Sequence, residues 1–558
     1  MKKNILITFV VVLISTFFSG VWVNPILAGE KDKYGGVFKI AYGKPAMNFG
    51  NPLRIQGPDM FYTDFALQRL IQSGKKLGEF EPLLATSWEL ASDGKSYIFH
   101  LRKGVKFHDG TEFNAQAVKW NLDRIINARR ALKGRPPGPP GKKGPPGKKG
   151  PPGKGGPPGK GGPPGKGGGK GGPPPGGFAL RNVSSIDIVD KYTVRLNLSR
   201  WDNLILRDIM ASNSCRLVSP AAIEKNGEKW SNTHPVGTGP FKFKAFKRNL
   251  YLKYDRFDEY WEKGLPYLDG VEIHSIRDMM TSLASLRAGE VDALNEIDRV
   301  MAAELAAEGK YQISGIPGLR IFIVANANDP NSVWSDKRMR EAIEYAIDKE
   351  TIVKNLGRGY TKAFYSIIPN VPGKPGTVPR KYDPDKARQL MKEAGRAEGV
   401  ECTLSFFSAS GNYWAAIQAN LAAVGIKVKL SPLSRQLFMG MMFSGVTGNG
   451  LRMGIMPHPP DPFLVLESHI SPKSVLYKEL KRPPKLVQLL NQLVIEGDMK
   501  KQTTLLNQME DVAYNSVSYI PLWSEPLMRA IDKNFKDYIA FFNGMMEFRV
   551  QNAWFEKR

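Results

Sequence analysis

Six histidines, His100, His108, His234, His274, His458 and His469, are spread along this 558-residue sequence. An imidazole beside a second imidazole or a carboxylate supports metal or acid–base chemistry. His458 and His469, eleven apart in a Pro-rich stretch, are the pair that raises a metal reading; ordinary loop histidines have the same look. There is no Gly-x-Ser-x-Gly elbow and no His-Glu-x-x-His. Gly94-Lys95-Ser96 has the tail of a phosphate loop, but Glu89 stands where its first Gly belongs, so a hairpin turn is expected. The one Gly-x-Gly-x-x-Gly match, Gly167 to Gly172, follows no strand. Acidic pairs such as Asp258-Glu259 read as solvated charge. Two cysteines, Cys215 and Cys402, exclude a disulfide scaffold and argue against a Cys-based zinc site. No constellation here is that of an enzyme, and no cofactor is expected.

Aromatic residues are more suggestive. Phe406, Phe407, Tyr413 and Trp414 surround a Ser-Ala-Ser-Gly-Asn412 loop at a strand-to-helix junction. Loops at strand ends of α/β sheets are where ligands sit. The elements around them follow from periodicity. Gly35–Tyr42, Tyr97–Arg102 and Tyr192–Leu198 alternate as strands. Asp336–Lys354 is spaced as one helix, Asp383-Pro384 opens another that Gly395 closes, and Tyr413–Val424 is a third, closed by Gly425. The strand Ile426–Leu430 follows at once. Mixed strands and helices without a linker give an α/β protein of two large lobes.

Charge is unevenly spread. Residues Gly134–Gly177 hold 20 Gly, 15 Pro, 8 Lys and 1 Arg, so this tract carries +9 of the net +26. Its glycine falls at every third position from Gly138 to Gly171, with five Gly-Pro-Pro triplets, the register of a collagen helix. A triple helix needs three chains and Lys-Lys triplets would stack like charges, so a solvated extended loop is favoured over a trimerising stalk. The tract interrupts a domain: Asn121–Ala131 reads as a helix end and Phe178–Ile188 as a return to strand. Met1–Ala28 has a basic start, an apolar run from Ile5 and a small-residue end at Ala28, the layout of a cleaved export signal. Setting aside the tract and the two leader lysines leaves +15 on 486 residues of ordinary globular composition. Collagen as a whole, a disordered chain and a polytopic membrane protein are excluded, and nucleic acid is not an expected partner.

Motifs in order carry a resemblance. Leu83-Leu-Ala-Thr-Ser-Trp-Glu-Leu90 is followed by the run Asp93–Thr111, Asp-Gly-Lys-Ser-Tyr-Ile-Phe-His-Leu-Arg-Lys-Gly-Val-Lys-Phe-His-Asp-Gly-Thr. Then come Pro235-Val-Gly-Thr-Gly-Pro-Phe-Lys-Phe243, Tyr260-Trp261, Leu286-Arg-Ala-Gly-Glu-Val-Asp292, Arg338–Asp348 and Ile520-Pro-Leu522. From Gly35 to about Trp523 the sequence resembles the family 5 extracellular solute-binding proteins, the peptide/nickel-type receptors of ABC importers. The resemblance implies an α/β, two-lobed periplasmic binding protein (Venus-flytrap) fold with an extra small domain. The expected limits are 1–28 signal, 29–73 lobe I, 74–200 small domain with the 134–177 insertion, 201–315 lobe I, 316–520 lobe II and 521–558 lobe I again.

It also implies a peptide-like or other small organic solute held between the lobes and delivered to an inner-membrane ABC permease. A nickel or metallophore receptor and a polycation-mediated surface protein are the alternatives. The chain is expected to be periplasmic and monomeric, with a trimer if the tract assembles. Arg452–Pro462 matches the segment in which relatives anchor a ligand amine with an Asp; His458 stands in its place, Arg452 lies upstream and Asp461 three residues on. Gln56 matches a cleft-facing stretch where relatives carry an acid. Losing acids while carrying Arg452 hints at an anionic or neutral solute. The implied ligand-binding set is Gln56, Met60, Phe407, Asn412, Tyr413, Trp414, Arg452, His458 and Asp461.

Overall fold

A computed structural model describes residues 32–55, 57–74, 79–133, 180–366, 368, 379–407, 411–457, 463–472, 474, 476–542 and 546–556. The leader and the collagen-like tract lie outside the described residues.

Lobe I begins with β1 (Val37–Ala41) and α1 (Asp59–Thr63). The small domain follows: β2 (Ala85–Leu90), β3 (Ser96–Leu101), α2 (Ala115–Lys133), β4 (Val183–Asp190), β5 (Thr193–Leu198) and α3 (Leu204–Ala211). Its sheet runs β2-β3-β5-β4, with Val194, Leu196 and Leu198 of β5 turned inward and Arg195 outward. Gly94, at positive φ, turns β2 into β3 as a hairpin, and no phosphate loop forms. Lys119 Nζ of α2 donates to Ile186 O of β4 at 2.8 Å, so the two elements flanking the tract adjoin within one domain.

Lobe I resumes with β6 (Phe241–Lys247), β7 (Tyr251–Arg256), β8 (Gly270–His274), β9 (Ala293–Ile297) and α4 (Arg299–Glu308). The long strand β10 (Tyr311–Ala325) crosses to lobe II. There α5 (Lys337–Ala346) and α6 (Lys349–Leu356) stand where one helix is expected over 336–354. Ile347 is extended, and Asp348 caps α6 by accepting from Thr351 N–H at 3.0 Å. Across the break, Lys349 Nζ pairs with the buried Glu344, 3.3 Å away. Next come β11 (Val400–Phe407), α7 (Gly411–Ala422), β12 (Ile426–Leu433), α8 (Arg435–Ser444), β13 (Gly450–Pro457), α9 (Phe463–Ile470), α10 (Pro484–Val494) and α11 (Met499–Ser516). The strand β14 (Ile520–Asp532) crosses back.

One sheet therefore spans both lobes, in the order β12-β11-β13-β10-β14-β9-β1-β8-β7-β6. β10 and β14 pair antiparallel from Tyr311↔Asp532 to Ile323↔Ile520, with a register shift between Ile316 and Leu319. This irregularity, followed by a second between Ile321 and Phe322, lies where the two strands cross between the lobes, the crossover that would serve as a hinge. A Cβ on Gly318 would lie 2.5 Å from Glu525 O, so the backbones approach as only glycine permits. The apolar cores divide between Leu67 and Leu70 and again between Leu217 and Val218. Those limits differ from the expected 73/74 and 200/201, because α3 buries Ile205, Ile209 and Met210 against the small-domain sheet. The same helix reaches lobe II. Asn203 N–H donates to Val494 O and its Nδ2 to Leu493 O, each at 2.8 Å, and the Arg207 guanidinium lies 3.8 Å from the Phe463 ring centre. Arg181 pairs with Glu467 at 2.7 Å. No described helix is long and apolar enough to cross a membrane.

Candidate functional site

Lobe I sets the carboxyl ends of three parallel strands, β1, β8 and β9, toward the hinge. Crevices outside such ends are where α/β sheets bind ligands. The last β1–β9 pair is Ala41↔Leu294, so Tyr42 and Asn295 follow side by side. Arg529 of β14 completes the row, donating Nε–H to Asn295 Oδ1 at 2.7 Å. Lys44 pairs with Glu296 beside it, and Arg216 with Asp64 behind it. Burial pushes the Tyr42 phenol well above its ordinary value, Glu296 adds to this, and Arg529 and Arg435 oppose it. Since Arg435 opens α8 of lobe II, its charge reaches Tyr42 across the cleft. Burial lowers Arg529 to about 10, which leaves it cationic at neutral pH.

Lobe II contributes an aromatic wall at the ends of β11 and β12. Trp523 packs 4.6 Å from Tyr413 and 5.7 Å from Trp414 between ring centres, and Phe406 stacks on Trp414 at 5.4 Å. Phe407 is half-buried, 6.2 Å from Phe438. Arg299, at the start of α4 in lobe I, sits 4.8 Å over the Tyr413 ring and pairs with Glu525 beside the hinge. One side chain thus touches both lobes and the crossover strand. Tyr42 Oη, Asn295 Nδ2 and Trp523 Nε1 are buried without a hydrogen-bond partner in the protein. Such groups are rare in folded proteins, and each costs about 1–3 kcal/mol.

The expected site residues divide. Gln56, His458 and Asp461 lie outside the described residues. Met60 is half-buried against the lobe I core, and Asn412 is exposed on the first turn of α7. Tyr413 and Trp414 belong to the wall; Trp414 is fully enclosed and acts as its backing. Arg452 is a correction. It lies near the amino end of β13, paired with Val324, whereas the cleft faces that strand's carboxyl end. There its Nε bonds the buried carboxylate of Glu479, and its guanidinium stacks 4.4 Å from the Tyr477 ring centre. Its charge is spent inside lobe II.

His469 is an ordinary histidine, buried on α9 and not in a loop. Its ring nitrogens contact the Val465 and Ile455 carbonyl oxygens at 2.9 and 3.3 Å, and burial lowers its pKa to about 4. No cluster of three or more metal-ligating side chains occurs among the described residues. Both cysteines are free and buried. The residues that sequence reasoning missed are Tyr42, Asn295, Arg299, Arg435, Trp523 and Arg529. Three of them stood at or near the edges of segments already singled out: Tyr42 ends the first strand, Asn295 lies three residues past Asp292, and Trp523 follows Ile520-Pro-Leu522.

Comparison with known proteins agrees with the fold. The chain is similar to the glutathione-binding protein GsiB of Salmonella paratyphi A, 27% identical over 471 residues that cover 81% of this chain and 82% of that protein. The fold is that of the periplasmic binding protein DppA from Helicobacter pylori, solved with the peptide STSA. Its TM-score is 0.72 at 22% identity, covering 95% of this chain and 100% of that one. It is equally that of NikA from Brucella suis, solved with Fe(III)-EDTA, with a TM-score of 0.73 at 23% identity, covering 91% and 97%. These are binding proteins of transport systems and not enzymes. The profile of the bacterial extracellular solute-binding proteins, family 5 Middle, matches residues 79–465, and the chain belongs to that family.

Proposed function

We infer that this chain is the capturing component of an ABC importer: it closes two lobes on a peptide-like or other small organic solute and presents it to the permease. The observation that carries the reading is the set of buried, unpartnered groups Tyr42 Oη, Asn295 Nδ2 and Trp523 Nε1 on both sides of one hinge. Closure around a solute pairs them, and the permease reads the closed form. The reading assigns Met60, Phe407, Asn412 and Tyr413 to the same cleft, and the family resemblance adds Gln56, His458 and Asp461 to the set. The reading includes export through the leader with cleavage near Ala28, a periplasmic location and a monomeric state. Mass spectrometry of the exported protein checks the cleavage position.

A thermal-shift panel tests the function. Glutathione, Ser-Thr-Ser-Ala, opine-type acids, Fe(III)-EDTA and neutral sugars are each added to the full chain. A true solute at 100 times its Kd stabilises by about 2.7 kcal/mol, and silence from every class contradicts the reading. A contribution of the lysine-rich tract to binding anionic surfaces is separable from solute capture. It would weaken steeply with salt and disappear on deleting Gly134–Gly177.

A further inference from the structure

Lobe II is attached at its crossover strands and, separately, at the small domain. The small domain itself is fixed to lobe I. Asn121 Nδ2 donates to Val218 O at 2.8 Å, Val218 N–H returns to Asn121 Oδ1 at 3.1 Å, and His108 N–H donates to Gly237 O at 2.8 Å. The chain also passes between these two cores twice. The contact with lobe II is of another kind. Asn203 stands at the N-cap of α3, where an Asn side chain ordinarily caps its own helix, yet it makes no such bond. Its Nδ2 donates instead to Leu493 O, at 2.8 Å, and to Glu496 O, while its N–H donates to Val494 O at 2.8 Å. Leu493 and Val494 end α10, where carbonyl groups fall outside the helix's own ladder. Gln502 Nε2 of α11 donates back to Asn203 Oδ1 at 3.3 Å. The next residue, Leu204, is 1% exposed and packs in the lobe II core, whereas Ile205 and Ile209 of the same helix pack in the small domain.

We propose that this contact is a clasp on lobe closure: Asn203, Leu204 and the Arg181–Glu467 pair hold lobe II against the small domain in the solute-free chain, and they part when the lobes open. Two separate attachments do not both survive a rotation about one of them. The crossover pairing runs from Tyr311↔Asp532 to Ile323↔Ile520, and the small domain is bound to lobe I, so the clasp is the attachment that gives. Its chemistry suits repeated release. On opening, the carbonyls of Leu493, Val494 and Glu496 exchange Asn203 for water, and such an exchange of one hydrogen bond for another has a small net cost. Asn203 is thereby a positioning residue, acting on solute capture through the fraction of chains that are closed, with which apparent affinity scales. In its purpose the clasp rests on the solute-capture reading; in its existence it does not.

The test measures distances between spin labels in the full, solute-free chain by pulsed electron resonance. Labels are attached through Glu89→Cys in the small domain, Asp258→Cys in lobe I and Lys427→Cys in lobe II, all exposed positions, while Cys215 and Cys402 are buried. With the clasp intact, one short distance dominates from lobe II to each of the other two bodies. Asn203→Ala removes only side-chain bonds to lobe II, and Glu467→Lys sets a like charge against Arg181 from the opposite body. Both distances should lengthen together in each variant. The ratio of short to long populations should fall by about tenfold in Asn203→Ala and by about threefold in Glu467→Lys. The two substitutions lie in different bodies, so if one unfolds its domain the other decides. Populations equal to those of the intact clasp overturn the proposal. So does a fixed distance between small domain and lobe II while lobe I moves away, because the small domain then travels with lobe II. These distances are taken without solute, so neither result bears on solute capture, which the thermal-shift panel decides independently.

Discussion

Two buried charges show how residues outside the cleft are held. Asp208 of α3 accepts from Leu180 N–H at 3.0 Å, yet burial raises its carboxyl to about 7 against the pull of Arg181. A carboxyl raised above its unfolded value supports the fold while protonated. Stability is therefore full below about pH 4 and is lost as pH rises toward 7. Asp208→Asn keeps the acceptor without the charge. It should melt higher than wild type by about 1–3 °C at pH 8, and this gain should shrink toward pH 4. A gain equal at both pH values would contradict the assignment. Arg452 differs in kind: its Nε bonds Glu479 in the core, while its two terminal nitrogens and Glu479 Oε2 have no hydrogen-bond partner there. Arg452→Met leaves that carboxylate alone in the core and should cost about 3–5 kcal/mol in chemical denaturation. Arg452→Met with Glu479→Leu should recover most of the loss. Neither variant should change solute affinity once folded, since the pair lies at the far end of β13.

At the scale of elements, the hinge is the most specific construction. β10 and β14 remain paired across both lobes, and their shared irregularity lets the sheet bend without unpairing. Gly318→Ala would push a methyl against the Glu525 and Leu527 backbone. The expected outcome is a lowered melting temperature together with weaker solute binding, since Glu525 also holds Arg299 over Tyr413. Unchanged affinity in a destabilised variant would separate the hinge from closure. The strands were legible because alternation is local: Gly35–Tyr42, Tyr97–Arg102 and Tyr192–Leu198 each announce a buried face. The break at Ile347–Asp348 was not, since a capping Asp inside helical spacing looks like any surface acid. The cleft itself was only partly legible. Tyr413 and Phe407 lie in one short segment, whereas Arg529 meets Asn295 from 234 residues away. Only the pairing of β1, β9 and β14 brings that row together. Arg452 misled for a related reason, because its partner Glu479 is 27 residues distant and unmarked by any motif.

At the scale of the whole molecule, the net charge of +26 divides among parts with different roles. A third of it sits in one tract that interrupts the small domain; among the described residues, Glu296, Glu525 and Asp64 are paired with Lys44, Arg299 and Arg216. The small domain also contacts lobe II through Asn203, Arg207 and Arg181, so lobe II packs against the small domain as well as joining lobe I. The central claim is that a solute is captured at the face shared by Tyr42, Asn295 and Trp523. The most direct test is calorimetric titration of a solute identified in the thermal-shift panel into wild type and into Asn295→Ala with Trp523→Phe. The account predicts one solute per wild-type chain, and affinity reduced by about tenfold or more in the double variant with its circular dichroism unchanged. Equal affinity in both proteins would place the solute elsewhere and contradict it.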